Sequence, residues 1–182
     1  MLITGSGSFL GNLRDEDVIR CSIVDGRAET GRPSMESEMH RLLYEKIPEA
    51  GAVFHSSPFY STLLACTGEP IPLDLLPETM AYIRGLVRIP YSHPGSAALA
   101  QATASRLGLG EIGLLENHGV ILAAGSLEEA VVGVETFEIL CRMLVVGRTA
   151  GLSLRQLPLG TRADFLDHLA LLRAGSPVCA KA

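Results

Sequence analysis

The stretch Ile112–Ala130, "IGLLENHGVILAAGSLEEA", carries most of the information about the fold. Its apolar runs "IGLL" and "GVILAA" flank the polar "ENH", which predicts a strand, a tight turn and a second strand, with His118 in the turn. Ser126 and Glu129 then form an S-x-x-E capping box, which predicts the start of a helix. Apolar residues recur at helical spacing after this box as far as Val145, so the longest helix of the chain is expected here.

The segments before this stretch alternate between predicted strands and helices. "LITGSG", "AGAVFH" and "LVRIPY" are typical of strands, and "VIRCSIVDGRAE" predicts a hairpin around Asp25-Gly26. "SMESEMHRLLYEKI" and "AALAQATASRL" predict helices, as does Phe59–Cys66, for which Ser57 is the expected cap. Hairpins combined with helix crossovers predict a mixed α/β fold, with a largely antiparallel central sheet flanked by helices.

Length and composition narrow the class of protein. We expect a single domain over residues 1–182, with a weakly defined C-terminal extension from about residue 150. The formal net charge of −5 and the lack of a basic run argue against nucleic-acid binding. No apolar stretch is long enough to predict a membrane span, and the N-terminus lacks the pattern of a signal peptide. Four scattered cysteines suggest reduced, mostly buried thiols, so a cytoplasmic location is expected.

Several polar residues occupy positions that are typical of catalytic or metal-binding side chains. Glu36 comes just after Pro33-Ser34 at a predicted helix start, His55 ends a buried strand, and His118 lies in a turn. Each also has a purely structural interpretation, since an acidic residue favours a helix N-terminus and a lone histidine is usually a core or turn residue. His40, one helical turn after Glu36, either orients Glu36 or only packs.

Four motifs occur in a recognisable order: "RPSMESEMH", "AVFHSS", "IPYSHPGS" and "LLENHGVILAAGSLEEA". They resemble the class II aldolase/adducin family, which carries a "PSSE…H" helix, a strand ending in "VxHxH", a "PYxxPGS" segment and "LLxNHG" before a capped helix. The resemblance runs from Met1 to about Val146. It implies the fold expected above and an enzyme that uses a divalent metal.

Carried over by position, the resemblance makes Glu36 the catalytic acid/base and makes His55 and His118 two of three Zn²⁺-ligating histidines. Ser6, Gly7 and Ser34 match positions that hold the substrate phosphate in the sugar-phosphate aldolases. The set is chemically consistent, because imidazole suits Zn²⁺ and a nearby carboxylate can move the proton while the metal polarises a carbonyl.

The chain departs from the family pattern at two places. Ser57 occupies the second histidine position of "HxH", and a hydroxyl is a poor Zn²⁺ ligand, so we expect a third donor from His93 or Glu78. The resemblance also begins directly at the "LIT" strand, without the family's leading helix and "GNxS" strand pair. This predicts either a truncated start or a shortened branch.

The resemblance therefore implies a lyase that breaks or forms a carbon–carbon bond in a small hydroxy-carbonyl compound or sugar phosphate. Decarboxylation or dehydration within the same family is an alternative. A non-catalytic assembly module similar to the adducin head is another, which the joint presence of Glu36, His55 and His118 disfavours. The family also implies a homo-oligomer, a ring-like tetramer in the aldolases.

Overall fold

The computed structural model describes residues 1–158 and 160–175. Residues 159 and 176–182, part of the predicted C-terminal extension, lie outside the described residues. The strands are β1 (Leu2–Thr4), β2 (Val18–Arg20), β3 (Ala52–Ser56), β4 (Gly85–Ile89), β5 (Glu111–Leu115) and β6 (Gly119–Ala124). The helices are α1 (Ser37–Lys46), α2 (Phe59–Ala65), α3 (Pro77–Tyr82), α4 (Ala97–Arg106), α5 (Leu127–Thr149) and α6 (Thr161–Gly175).

The central sheet has four strands in the order β3-β6-β5-β4. β6 runs antiparallel to both of its neighbours, and only β4 and β5 are parallel. The predicted mixed α/β fold with a largely antiparallel sheet is therefore confirmed. β1 and β2 form a separate antiparallel pair, in which Ile3 lies opposite Ile19.

Apolar side chains cover both faces of the central sheet, because strand residues alternate between the two faces. One layer packs α2 and α5 on a face of the sheet and includes Ile112, Leu122 and Phe137. The other packs α1 and α4 on the opposite face and includes Val53 and Ile121. The β3 side chains on the face of Val53, which include His55 two residues later, therefore point toward the side of the sheet on which α1 packs.

Three local expectations require correction. α1 begins at Ser37, so Glu36 is its N-cap residue rather than a first-turn residue. The hairpin expected around Asp25-Gly26 is short: its two arms share one bridge between Cys21 and Ala28, with further main-chain bonds from Ser22 to Arg27 and from Glu29 to Arg20. Ser57 does not cap α2: Pro58 is the N-cap residue and no side chain at that position bonds the helix.

Within residues 1–158 and 160–175, no helix has the length and apolar character needed to cross a membrane. Cys21 and Cys141 are buried, as expected, whereas Cys66 is exposed at the end of α2. Cys179 lies outside the described residues.

Candidate active site and metal centre

Three separate elements bring Glu36, His55 and His118 to one place. Glu36 precedes α1, His55 is near the end of β3, and His118 lies in the turn between β5 and β6. Nε2 of His55 is 2.7 Å from Oε2 of Glu36, and Nε2 of His118 is 3.6 Å from Oε1 of the same carboxylate. The two imidazole rings meet edge to face with their centroids 4.9 Å apart.

The imidazole of His55 is oriented by a hydrogen bond from its ring. Nδ1 lies 2.8 Å from the main-chain oxygen of Val120, on the neighbouring strand β6. A carbonyl oxygen only accepts, so Nδ1 must carry a hydrogen and donate it. This bond fixes the tautomer and directs Nε2 toward Glu36, an arrangement that is typical of histidines that bind metals.

The short contact between Nε2 of His55 and Oε2 of Glu36 requires a proton or a metal cation between these two atoms. With Nδ1 already protonated, Nε2 of a neutral His55 is an acceptor, and so is Oε2 of an ionised Glu36. A separation of 2.7 Å therefore requires a shared proton in the protein alone. A metal cation can replace that proton, because both atoms then act as ligands.

The donor set fits a divalent metal. Glu36, His55 and His118 each offer a ligand atom, and these atoms lie within 4.8 Å of one another. Oε1 of Glu36 is buried and has no hydrogen-bond partner among the described residues. Two imidazoles and one carboxylate are an established ligand set for catalytic Zn²⁺.

Electrostatics keep the carboxylate ionised. Burial alone would raise the pKa of Glu36, but the hydrogen bond from His55 and the charges of His55 and His118 outweigh it, and the net pKa is lowered. Burial is also the main cause that lowers the pKa of His118, which favours the neutral imidazole that a metal requires. Burial has the same effect on His40, one turn into α1, and lowers its pKa to about 4.

The turn that carries His118 is held by main-chain bonds. Asn117 has a left-handed backbone with φ of 57°, a conformation that asparagine tolerates better than most residues. Its N–H donates to the oxygen of Ala65 in α2, and the N–H of His118 donates to the oxygen of Leu115. These bonds set the position of the His118 backbone relative to the sheet and α2.

Ser57 has a different environment from the one predicted. Its hydroxyl donates to the main-chain oxygen of His118 over 3.0 Å, instead of bonding the first turn of α2. That turn is satisfied by Glu138 of α5, whose two carboxylate oxygens accept the N–H groups of Tyr60 and Ser61 at 2.8 Å each. Glu138 was absent from the sequence-based candidates, because no local pattern links it to a helix so far away in the chain.

The two residues expected to supply a third donor are not among the ligand atoms grouped around Glu36 in the described part of the chain. His93 is exposed, and its Nδ1 is 3.1 Å from the hydroxyl of Tyr91. Glu78 is exposed in the first turn of α3. Among the described residues, the group within ligand distance contains neither of them, and the donor that accompanies the two histidines is Glu36.

The predicted phosphate-contacting residues lie on two adjacent segments next to Glu36. Gly5 bridges to Pro33, the N–H of Ser6 donates to the oxygen of Arg32, and the N–H of Ser34 donates to the oxygen of Thr4. The hydroxyl of Ser34 accepts the N–H of Glu36 over 3.3 Å. Gly7 occupies an open turn with φ of 84°, where an added Cβ would meet nothing within 4 Å.

Comparison with known proteins agrees with this geometry. The family model for the class II aldolase and adducin N-terminal domain matches residues 1–145. The chain belongs to the class II aldolase and adducin family. This membership explains why Glu36, His55 and His118 converge although their elements are far apart in sequence, and it confirms the resemblance seen in the four motifs.

Two kinds of enzyme are found among the relatives of this family member. The L-fuculose phosphate aldolase of Methanocaldococcus jannaschii is 32% identical over 136 residues, covering 75% of this chain and 73% of that protein. The 3-oxo-tetronate 4-phosphate decarboxylase of Haemophilus influenzae is 34% identical over 145 residues, covering 76% of this chain and 68% of that protein. Sequence identity of this size does not separate the two reactions.

Solved structures share the fold. YgbL from Escherichia coli has a TM-score of 0.79 at 28% identity, covering 89% of this chain and 79% of that one. An L-fuculose 1-phosphate aldolase has a TM-score of 0.75 at 25% identity, covering 93% of this chain and 79% of that one.

Proposed function

We propose that this protein is a divalent-metal-dependent lyase, with Zn²⁺ as the metal, that cleaves a carbon–carbon bond in a phosphorylated hydroxy-carbonyl compound. The observation that carries the proposal is the convergence of one carboxylate and two imidazoles within 4.8 Å. Relatives with aldolase and decarboxylase names support a lyase of this kind.

His55, His118 and Glu36 would hold the metal, which when bound would polarise the carbonyl group of the substrate. Glu36 is the residue we propose for proton transfer. Its pKa is lowered, so the carboxylate is ionised, and an ionised carboxylate beside the metal can accept a hydroxyl proton from the substrate. The same carboxyl group can return a proton to the carbon atom left by the broken bond.

Ser6, Gly7 and Ser34 are proposed to contact the phosphate group. The N–H of Ser6 is already used by Arg32, so the donors proposed for an anion are the N–H of Gly7 and the hydroxyls of Ser6 and Ser34. Since Ser34 also bonds the N–H of Glu36, a phosphate here would lie close to the acid/base. Binding energy from that phosphate would then orient the reacting carbons.

Decarboxylation is the second candidate, and the relative at 34% identity favours it. Both reactions break a carbon–carbon bond close to a carbonyl and place negative charge on the carbon that remains. They differ in the fragment that leaves, which is an aldehyde in aldol cleavage and carbon dioxide in decarboxylation.

Product analysis tests the proposal. The Zn²⁺-loaded protein is incubated with L-fuculose 1-phosphate and, separately, with 3-oxo-tetronate 4-phosphate, and released aldehyde and carbon dioxide are measured. We expect one of the two products, its loss after chelation and its recovery with added Zn²⁺. A product that forms equally well in chelated protein would contradict metal dependence.

We also propose that the protein is a homo-oligomer, as the family resemblance implies. Large apolar side chains are exposed on α2 and α5, among them Phe59, Ile139 and Val146, and such side chains are common at subunit contacts. Light scattering coupled to size-exclusion chromatography would measure the mass, and a mass equal to one chain would contradict this part of the proposal.

A further inference from the structure

The two histidines of the site are held in different ways. His55 donates a ring hydrogen bond to Val120, which fixes the rotation of the imidazole. His118 has no such bond within the described residues, because its Nδ1 is buried there without a partner. The His118 ring is therefore placed by its edge-to-face contact with His55 and by the position of its own backbone.

The main-chain groups of His118 are both engaged. The N–H donates to Leu115, a bond internal to the turn. The carbonyl oxygen accepts from the hydroxyl of Ser57, the residue that directly follows β3. Ser57 therefore ties the end of β3 to the turn, and β3 also carries His55.

Close packing keeps Ser57 in place. A Cβ added to Gly119 would lie 2.5 Å from the oxygen of Ser56 and 2.8 Å from Oγ of Ser57, so only glycine permits this approach. Beyond Pro58, Glu138 accepts the N–H groups of Tyr60 and Ser61 and anchors the start of α2. Ser57 thus lies between the close contact with Gly119 and the start of α2, which Glu138 holds in place.

We infer that Ser57 is a positioning residue that orients the imidazole of His118 by holding the main-chain carbonyl of that histidine. The inference rests on the proposed function as far as metal binding is concerned, but the contact itself is independent of any metal. It also gives a chemical role to the serine that stands where the family pattern has a second histidine. The hydroxyl keeps one of the remaining ligands in place.

The neighbouring serine provides a matched control. Oγ of Ser56 is buried and has no partner among the described residues, so Ser56→Ala removes a hydroxyl that holds nothing. Ser57→Ala removes the bond to His118, and Ser57→Thr retains a hydroxyl at the same position. The three variants are prepared as full chains, and thermal unfolding verifies that each is folded.

Binding of Co²⁺ and Zn²⁺ is measured by competition with a chromophoric chelator, together with the visible absorption spectrum of the Co²⁺-loaded protein. We expect Ser57→Ala to weaken metal binding about three- to tenfold and to change the Co²⁺ spectrum, because the ligand geometry changes. Ser56→Ala and Ser57→Thr should resemble the wild type. A general loss of stability would lower the unfolding temperature but leave the spectrum of the loaded protein unchanged.

Equal affinity and equal spectra for Ser57→Ala and the wild type would overturn the inference while leaving the proposed function standing. If the wild type binds no metal, the proposed function fails, and the ¹⁵N resonances of the His118 ring in metal-free protein decide the inference. Shifts or broadening in Ser57→Ala but not in Ser56→Ala would support it, and identical ring resonances in all variants would overturn it.

Discussion

Nε2 of His55 lies 2.7 Å from Oε2 of Glu36, and this contact joins the end of a central-sheet strand to the start of a helix on one face of the sheet. The hydrogen bond from Nδ1 of His55 to Val120 means that a proton must lie between the two side chains when no metal is bound. Metal binding should therefore displace that proton, which makes the carboxylate and the imidazole a pair of ligands poised for a cation.

Glu36→Gln separates the two roles that the carboxylate can have. The amide oxygen of glutamine is a weak, neutral metal ligand and cannot take up a proton. We therefore expect activity to fall about 10²- to 10⁴-fold. If Glu36 is mainly the acid/base, Zn²⁺ affinity should decrease much less than activity. Isothermal titration and product assays on the same samples measure both, and retention of full activity would contradict any role of Glu36 in proton transfer.

Gly119→Ala should disturb the turn that carries His118. The added Cβ would lie 2.5 Å from the oxygen of Ser56, closer than packed atoms allow, so the β3 end and the turn must separate. We expect weaker Zn²⁺ binding and a lower unfolding temperature. Gly68→Ala is the matched control, because a Cβ there meets nothing within 4 Å. Equal metal affinity in Gly119→Ala and Gly68→Ala would contradict the expectation.

Glu138→Ala should destabilise the protein through α2. The substitution leaves the N–H groups of Tyr60 and Ser61 without their carboxylate partner, and loss of a helix cap costs about 1 to 2 kcal/mol. Urea unfolding measures the change. Glu135→Ala, at an exposed position one turn earlier on α5, is the control and should be close to neutral. Similar destabilisation by both substitutions would argue against a specific cap.

His40 should make stability depend on pH. Burial lowers its pKa to about 4 in the folded protein, below the ordinary value near 6.5, so the unfolded chain takes up a proton first as the pH falls. The folded state should thus be at full stability above pH 6.5 and lose about 2 kcal/mol or more as the pH falls toward 4.

His40→Gln removes this titration and should reduce the loss of unfolding free energy between pH 7.5 and pH 5, measured by urea unfolding with a chelator present. His168→Gln on α6, where the histidine is exposed, serves as the control and should leave the pH dependence unchanged. An unchanged slope in His40→Gln would show that His40 does not lose its charge on folding.

The central-sheet strands, the long helix and the convergence of Glu36, His55 and His118 could be predicted from the sequence, because each depends on a local pattern or on a motif in a fixed order. The apolar runs on both sides of "ENH" gave β5 and β6, and Ser126 with Glu129 gave the start of α5. Other features depend on contacts between distant segments. Ser57 precedes a helix as a cap would, yet the proximity of the turn at His118 gives its hydroxyl a different partner.

The identity of the third metal ligand also depends on contacts between distant segments of the chain. His93 is predicted because its imidazole matches the missing ligand and it lies on a Pro-Gly loop, and Glu78 because a carboxylate with two histidines is a known catalytic Zn²⁺ set. In the structure, both side chains are exposed, and the carboxylate nearest to the two imidazoles is Glu36 itself. The family resemblance implies that Glu36 lies near the histidines, and the distances in the structure put it within ligand range.

The measurement that tests the central claim most directly is the Zn²⁺ content of chelator-treated and then reloaded protein, determined by atomic emission after removal of free metal. Wild type and His93→Ala should hold Zn²⁺ in nearly equimolar amount, whereas His55→Ala and His118→Ala should hold little, since each removes a proposed imidazole ligand. A wild-type protein that holds no Zn²⁺, or a His55→Ala variant that holds as much as the wild type, would contradict the metal centre. The first of these results would favour a non-catalytic module similar to the adducin head.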